Sequence, residues 1–348
     1  MRPIPLRTRK AQSLPLTRRS ASLPQEMKAR VGSAPSMSPE RPEPAREVPS
    51  FWSRLGRTLR TGPWPTLLLF LPPALLVFTL FVVLPVSQSA YYAFFNWNGY
   101  GAPHNWVGFS NFERAFNDPI LRNSLFNNLL VVAVSAGIQI PIALSLALVV
   151  SDARRSNLIF RAIFFIPYIL AEIIVGLIWK YLYDGEYGLV ATIGHWFGWK
   201  PPFVLALPGW AMAAVLLVVV WKYIGFHLAL FIAGRQNVPN DVIESAHIDG
   251  ANRWQVTRHI ILPMMKPVIL LSLFFSVLGS FQLFDLIIPL TGGGPLNSTH
   301  SMVSYLYTFG IQRMRLGYGS AVALILFVIC VVVMVCYKRF LLREDRAT

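Results

Sequence analysis

Charge is what this chain has least of. Of its 348 residues, 14% are Asp, Glu, Lys or Arg, where a soluble globular domain carries roughly 25%. Set against a hydrophobic share of 54%, that shortage excludes an ordinary water-soluble fold. Cysteine is nearly absent. Cys330 and Cys336 both lie in the last apolar run, where six residues of helix turn them apart, so they read as small buried hydrophobes without a disulfide. They say nothing about the redox compartment. No Gly-x-x-x-x-Gly-Lys-Ser/Thr and no His-Glu-x-x-His occurs, and the six histidines are scattered. No catalytic residue and no metal site is therefore expected, and the chain does not read as an enzyme.

What is present is a series of apolar runs near 20 residues, the length a helix needs to cross a bilayer. The fold class expected is an all-α polytopic membrane protein. The net charge of +15 is unevenly spread. Residues 1–62 hold 13 basic and 4 acidic side chains, a net +9; the rest hold 18 and 12, a net +6. A basic tail ahead of the first apolar run is topogenic and faces lipid headgroups, so no nucleic acid partner is expected. Rich in Pro, Ser and Arg, residues 1–62 read as a disordered cytoplasmic tail.

The first run, Trp64 to Val86, competes with a signal peptide, since Ser87-Gln-Ser-Ala90 follows it. It exceeds the ~7–15 residues of a signal core and reads as a first span, bent by Pro72-Pro73. Five more spans are expected, at 125–150, 159–183 with Pro167 inside, 210–233, 264–290 and 318–336. Six spans put both termini on one face. The Arg154/Arg155 pair in a short loop discriminates weakly; the terminal clusters Arg54/Arg57/Arg60 and Lys338/Arg339/Arg343 place that face in the cytoplasm, and residues 343–348 form a short inner tail. Outer loops hold Arg114, Arg122, Lys200, Arg313 and Arg315. Glu172, Lys180 and Lys222 lie near span ends and read as snorkelling side chains.

One polar stretch, residues 239–263, sits between spans four and five. It reads as two short helices joined at Asp249-Gly250, a turn dipeptide in which Gly tolerates φ > 0. Asp241 is a candidate cap, with Glu244 completing a capping box. A second amphipathic piece is expected from Asn252 to His259, and Pro263 should stop the helix there or kink it.

The spacing of Glu244, Ala246, Gly250, Ile260, Leu262 and Pro263 resembles the "EAA---G---------I-LP" loop of ABC importer permeases, and Asp249 and Ala251 fit its extended form. Ser245 departs from the second Ala, and Thr257 stands where an aromatic is frequent. Further resemblances are Trp106-Val-Gly-Phe-Ser-Asn-Phe112 after the first span, Phe164-Phe-Ile-Pro-Tyr168 and Gly176-Leu-Ile-Trp179 in the third, and the Thr291-Gly-Gly-Gly-Pro295 loop. Together they cover about residues 64–342 and resemble the maltose-permease type of sugar transport subunit. An interfacial aromatic belt explains Trp106 to Phe112 equally well.

The resemblance implies a type I ABC importer permease fold over residues 63–342, with 239–263 as a cytoplasmic coupling helix. It implies a bacterial cell-membrane protein that pairs with a second homologous permease, ABC ATPase subunits and an extracellular solute-binding protein. ATP would be bound by the ATPase subunits, and this chain would hold no cofactor. Coupling residues would be Glu244, Ala246, Asp249, Gly250, Ala251, Leu262 and Pro263. Ile243, Ala246 and Ile248 would enter a groove on the ATPase, Glu244 would meet a basic partner, and Pro263 and Pro267 would carry movement into span five. By the same analogy Gly225, Ser280, Gln282 and Asp285 are candidates for the path of a carbohydrate substrate; polar helix packing accounts for them equally well. Non-sugar solutes such as glycerol phosphate or polyamine remain open. An ion-coupled carrier would want mid-span carboxylates and inverted repeats, and Asp285 alone fits. A membrane scaffold would not need the coupling loop.

Overall fold

The computed structural model describes residues 64–150, 155–198 and 203–344. The expected tail 1–62, Arg54, Arg57, Arg60, Arg154, Lys200 and residues 345–348 lie outside them. The chain divides into two units, Met1–Leu69 and Phe70–Thr348. Of the first, only the helical residues from Trp64 onward are described; the second holds the architecture.

Nearly every described residue is helical, and the β pairing among them is one isolated bridge between Phe95 and Trp106. Among the described residues, five helices are long and apolar enough to span a membrane: Thr66–Tyr92, Pro119–Val150, Pro208–Gln236, Arg253–Gln282 and Leu316–Arg339. The pair Ile159–Ile169 and Glu172–Leu182, bent by 97°, is apolar enough to make a sixth if its two halves count as one broken span. In chain order these are spans one to six, with the bent pair third.

Spans two, three and five differ from expectation, and span one runs on to Tyr92 rather than ending at Val86. Span two starts at Pro119, not Leu125, because the Asp118 side chain accepts the N–H groups of Ile120 and Leu121 at 2.8 and 3.2 Å. Proline then suits the first helical turn. Span three is broken rather than continuous: after Pro167 the helix ends at Ile169, and Ala171 is extended at ψ 137°. Span five runs Arg253–Gln282, starting eleven residues before the expected Met264 and stopping before Asp285.

Pro263 neither stops nor breaks span five. A π-helical turn, Thr257–Ile261, precedes it directly. The same arrangement recurs at Thr79–Val83 before Pro85 and at Ser135–Gln139 before Pro141. Each wide turn ends two residues ahead of a proline. Proline has no N–H to give, and its ring crowds the carbonyl four residues back. A widened turn spaces that carbonyl away and lets the helix continue.

Span four is the hub. Over half of its apolar window is buried, against 28% for span two and less elsewhere. It packs on the second half of span two and on the helix Arg155–Ile169. Small residues permit this approach: a Cβ at Gly225 would stand 2.1 Å from the carbonyl oxygen of Phe164. Gly225→Leu should therefore lower thermal stability in detergent, by about 1–3 kcal/mol for overpacking. Gly225→Ala in the same assay should show the smaller part of that loss.

Between spans five and six the chain makes a compact loop, Thr291–Thr299, then a short apolar helix within Met302–Ile311. Gly293, at φ +84°, leaves room for the His300 ring, which a Cβ there would strike. Burial, reinforced by Arg313, pushes the His300 imidazole down to about 4. Its neutral form stabilises the fold fully above the unfolded value near 6.5, and that contribution is lost as pH falls toward 4. The melting temperature should drop across that window, and His300→Gln should flatten the profile.

Candidate functional site

Residues 239–263 form the link between spans four and five. A helix, Asn240–Ile248, begins two residues earlier than expected, after Pro239 at ψ 134°. Asp241 thus falls inside the first turn, where its charge suits the helix dipole but cannot cap. No side-chain cap and no Asp241/Glu244 box forms. The capping box lies instead at the start of span five, where the Asn252 side chain accepts the Gln255 N–H and the Gln255 side chain accepts the Asn252 N–H, each at 2.8 Å.

Gly250 ends the first helix with φ +85°. Its N–H bonds the His247 carbonyl at 3.1 Å, and the Ala251 N–H bonds the Ala246 carbonyl at 2.9 Å. This is the Schellman arrangement, in which the residue after the helix must sit in the left-handed region. The offset between Ala246 and Gly250 follows from it. So does the small residue at 251: Ala246 and Ala251 both lie against the cluster of Phe231, Val238, Val256 and Ile261.

Ile243 also packs on that cluster. Ile243 and Ala246 therefore face the protein's own core, not an external groove as the sequence suggested. A helix this short cannot bury both faces, and the i, i+3 pair has gone inward. The outward face carries Val242, Glu244, Ser245, Ile248 and Asp249, with Ile248 86% exposed. A bare isoleucine on a polar turn is a contact side chain without a contact. Pro263 is exposed and Leu262 half-buried, so both help shape the base of span five rather than that face.

A cavity of about 510 Å³ lies among spans two to five, within the range of ligand sites. The break in span three opens into it through Tyr168 and Glu172. Span four contributes Tyr223, Phe226 and His227; span five contributes Phe275, Ser276 and Ser280. Gln282 and Asp285 line it as well, so the structure brings three of the four sequence candidates together. Asp285 does so from the turn that ends span five, not from within the span. Gly225, the fourth, is buried against Phe164 and lies off this cavity.

The polar groups that define the cavity were missed at the level of sequence. Tyr223 donates its hydroxyl to Glu172 Oε1. His227 Nδ1 lies 2.7 Å from Ser272 Oγ. Ser276 Oγ, in a residue 8% exposed, has no hydrogen-bond partner among the described residues. Asn127 and Asn128 were missed too. Asn127 Nδ2 bonds the carbonyls of Ser298 and His300 at 2.7 and 2.9 Å; Asn128 accepts the Met302 N–H at 2.9 Å and donates to Ser280 O. They tie the segment Ser298 to Met302, and Ser280 of span five, to span two. The legible signal was three amides, Asn123, Asn127 and Asn128, on the first turns of one span.

Lys222 and Glu172 do not snorkel. Lys222 is 2% exposed, and its Nζ lies 2.6 Å from the Leu170 carbonyl oxygen. Among the described residues no group of three or more His, Cys, Asp or Glu side chains could hold a metal.

Comparisons with known proteins agree on one family. Residues 121–344 match the binding-protein-dependent transport system inner membrane component. The sulfoquinovosyl glycerol transport system permease protein of Agrobacterium fabrum is 31% identical over 84% of this chain and 95% of its own length. The multiple sugar-binding transport system permease protein of Streptococcus mutans is 32% identical over 76% and 91%. A solved bacterial ABC transporter that imports alginate superposes with a TM-score of 0.72 at 23% identity, covering 83% of this chain and 99% of that one. At that identity the likeness speaks for the fold alone. The family match over residues 121–344, the relatives and the fold agree, and the chain belongs to the family of binding-protein-dependent transport system inner membrane components.

Proposed function

We propose that this chain is the pore-forming permease subunit of an ATP-driven importer of neutral, hydroxyl-rich solutes, an oligosaccharide or a sugar derivative. The observation that carries the cargo is the cavity lining. Tyr168, Tyr223, Phe226 and Phe275 offer ring faces, and Ser276, Ser280, Gln282, His227 and Glu172 offer hydrogen bonds. Aromatic faces with a few placed polar groups suit a polyol whose ring has one apolar side. Relatives named for multiple sugars and diacetylchitobiose support the same class, and one named for sulfoquinovosyl glycerol supports a sugar but not its neutrality. The lining contains no Lys or Arg, while Glu172 and Asp285 are acidic, which disfavours a phosphate-bearing cargo. The same two carboxylates favour a polyamine as the second reading.

The energy source lies outside the chain. The face of Val242, Glu244, Ile248 and Asp249 docks into a groove on a separate ATPase subunit on the cytoplasmic side, with both termini on that side. Span five is continuous from Arg253, beside this face, to Gln282 at the cavity, about 45 Å at 1.5 Å per residue. A displacement at its base is thus delivered to Ser276 and Ser280 without an intervening hinge. ATP binding that favours one docked arrangement shifts the pore between outward-open and inward-open states by its differential affinity for the two. A second homologous permease closes the other half of the path, and a soluble binding protein outside delivers the cargo.

The test is uptake by the reconstituted complex in proteoliposomes, comparing a neutral oligosaccharide panel, glycerol phosphate and a polyamine. Saturable, ATP-dependent uptake of a neutral saccharide is expected. Uptake of glycerol phosphate or polyamine alone overturns the cargo assignment.

A further inference from the structure

Lys222 stands in the middle of a buried apolar helix, 2% exposed, at a depth where a charge is costly. Its surroundings explain how it is held. Span three breaks after Ile169 with a 97° turn, and a broken membrane helix leaves carbonyls with no intrahelical partner. Lys222 Nζ lies 2.6 Å from the Leu170 oxygen and 3.5 Å from those of Pro167 and Tyr168. A cation at the C-terminal end of a helix also suits the dipole of Arg155–Ile169.

The other side of the break carries Glu172, in the first turn of Glu172–Leu182, an anion at a helix N-terminus. Glu172 accepts the Tyr223 hydroxyl, and Tyr223 is the residue after Lys222. Lys222 Nζ is 5.5 Å from the Tyr223 ring centroid and feels the Glu172 charge. One turn of span four therefore grips both sides of one break: Lys222 holds the end of the first half, and Tyr223 holds the start of the second. Glu172 and Tyr223 both line the cavity, whereas Lys222 does not.

We propose that Lys222 is a positioning residue that sets the bend of span three and thereby presents Glu172 and Tyr223 as the hydrogen-bonding pair that selects cargo. This rests on the cavity being the cargo site. Its geometric half stands independently of what the cargo is.

The test has two arms on the full assembled complex. In the first, spin labels are placed at Phe160 and Tyr181, both exposed, and their separation is measured without cargo. Lys222→Met should broaden or shift that distance distribution, and Lys222→Arg, which keeps the charge and the donors, should restore it. An unchanged distribution in Lys222→Met overturns the proposal, whatever the cargo proves to be. The second arm is a double-mutant cycle read as uptake of whichever solute the wild-type complex transports. Lys222→Met and Glu172→Gln should each lower it about tenfold or more, as expected for a lost hydrogen bond to a charged group, and the double variant should lose little beyond either single one. Multiplying losses show that Lys222 does not act through Glu172 and overturn the proposal. If Lys222→Met does not accumulate, Lys222→Gln takes its place under the same criteria. A wild-type complex that moves no saccharide while the first arm succeeds contradicts the cargo reading and leaves the bend assignment standing.

Discussion

Ile248→Asp should leave the permease folded and inserted but sever it from its ATPase. Ile248 is 86% exposed and touches no core cluster, so its replacement disturbs no internal packing. As the one large apolar side chain at the tip of the outward face, it is the anchor of any groove-docked helix, and such anchors are worth about 2 kcal/mol or more. ATPase co-purification and ATP-driven uptake should fall by about 30-fold or more, with the melting temperature unchanged. Ile243→Asp should behave in the opposite order. Ile243 is half-buried and packs on the internal cluster with Val256 and Ile261, so a charge there is partly desolvated against apolar neighbours and the melting temperature should fall. The contrast between two isoleucines five residues apart separates a docking face from a core face. Gly250→Val belongs to the same experiment: space around a Cβ there is open, but φ is +85°, and holding a β-branched residue so costs about 1–2 kcal/mol or more. The helix end should fray, and coupling should weaken without loss of insertion.

Gly279→Trp should abolish uptake in a complex that still assembles and still binds its ATPase. Gly279 lines the cavity and has nothing within 4 Å of where a Cβ would sit. The new ring therefore enters empty volume, not the core. Replacing glycine within a helix also removes backbone freedom from the unfolded state, worth up to about 1 kcal/mol. Loss of uptake with retained thermal stability is the expected pair of results. Gly279→Ala, which intrudes by one methyl, should be close to wild type for small cargo and reduced for larger cargo. Uptake at the wild-type rate in the tryptophan variant shows that the path runs elsewhere.

The pattern of what the sequence disclosed follows the range of the physics. Span positions were legible because hydrophobic length is a local property, and the Schellman turn was legible because Gly250 alone satisfies it. The face of the coupling helix was not: Ile243, Ala246 and Ile248 are equally apolar on paper, and only packing against Val256 and Ile261 sends two of them inward. The π turns were not legible from proline alone: Pro85, Pro141 and Pro263 follow one, but Pro72, Pro73 and Pro267 sit in regular helix, and the turn at Leu306–Ile311 has no proline after it. The break in span three was half-visible in Pro167. The partner that stabilises it, Lys222, lies 52 residues away from Leu170 and carries no local signature. A lysine in an apolar run invites a snorkelling reading until the carbonyls it serves are seen. Ser280, Gln282 and Asp285 were found by analogy; Glu172, Tyr223, His227 and Ser276 needed the tertiary fold, because they come from three spans.

The central claim is that the 239–263 segment is the handle on which an external ATPase pulls. Cross-linking tests it most directly. With Cys330 and Cys336 replaced by alanine, Ile248→Cys is paired with single cysteines around the groove of the partner ATPase, and membrane-impermeant thiol reagent is applied from each side. Protection from outside reagent, labelling from the inner side, and a disulfide to the ATPase whose yield changes with ATP are the predicted results. Labelling of residue 248 from the outside, with no cross-link in any nucleotide state, contradicts the claim.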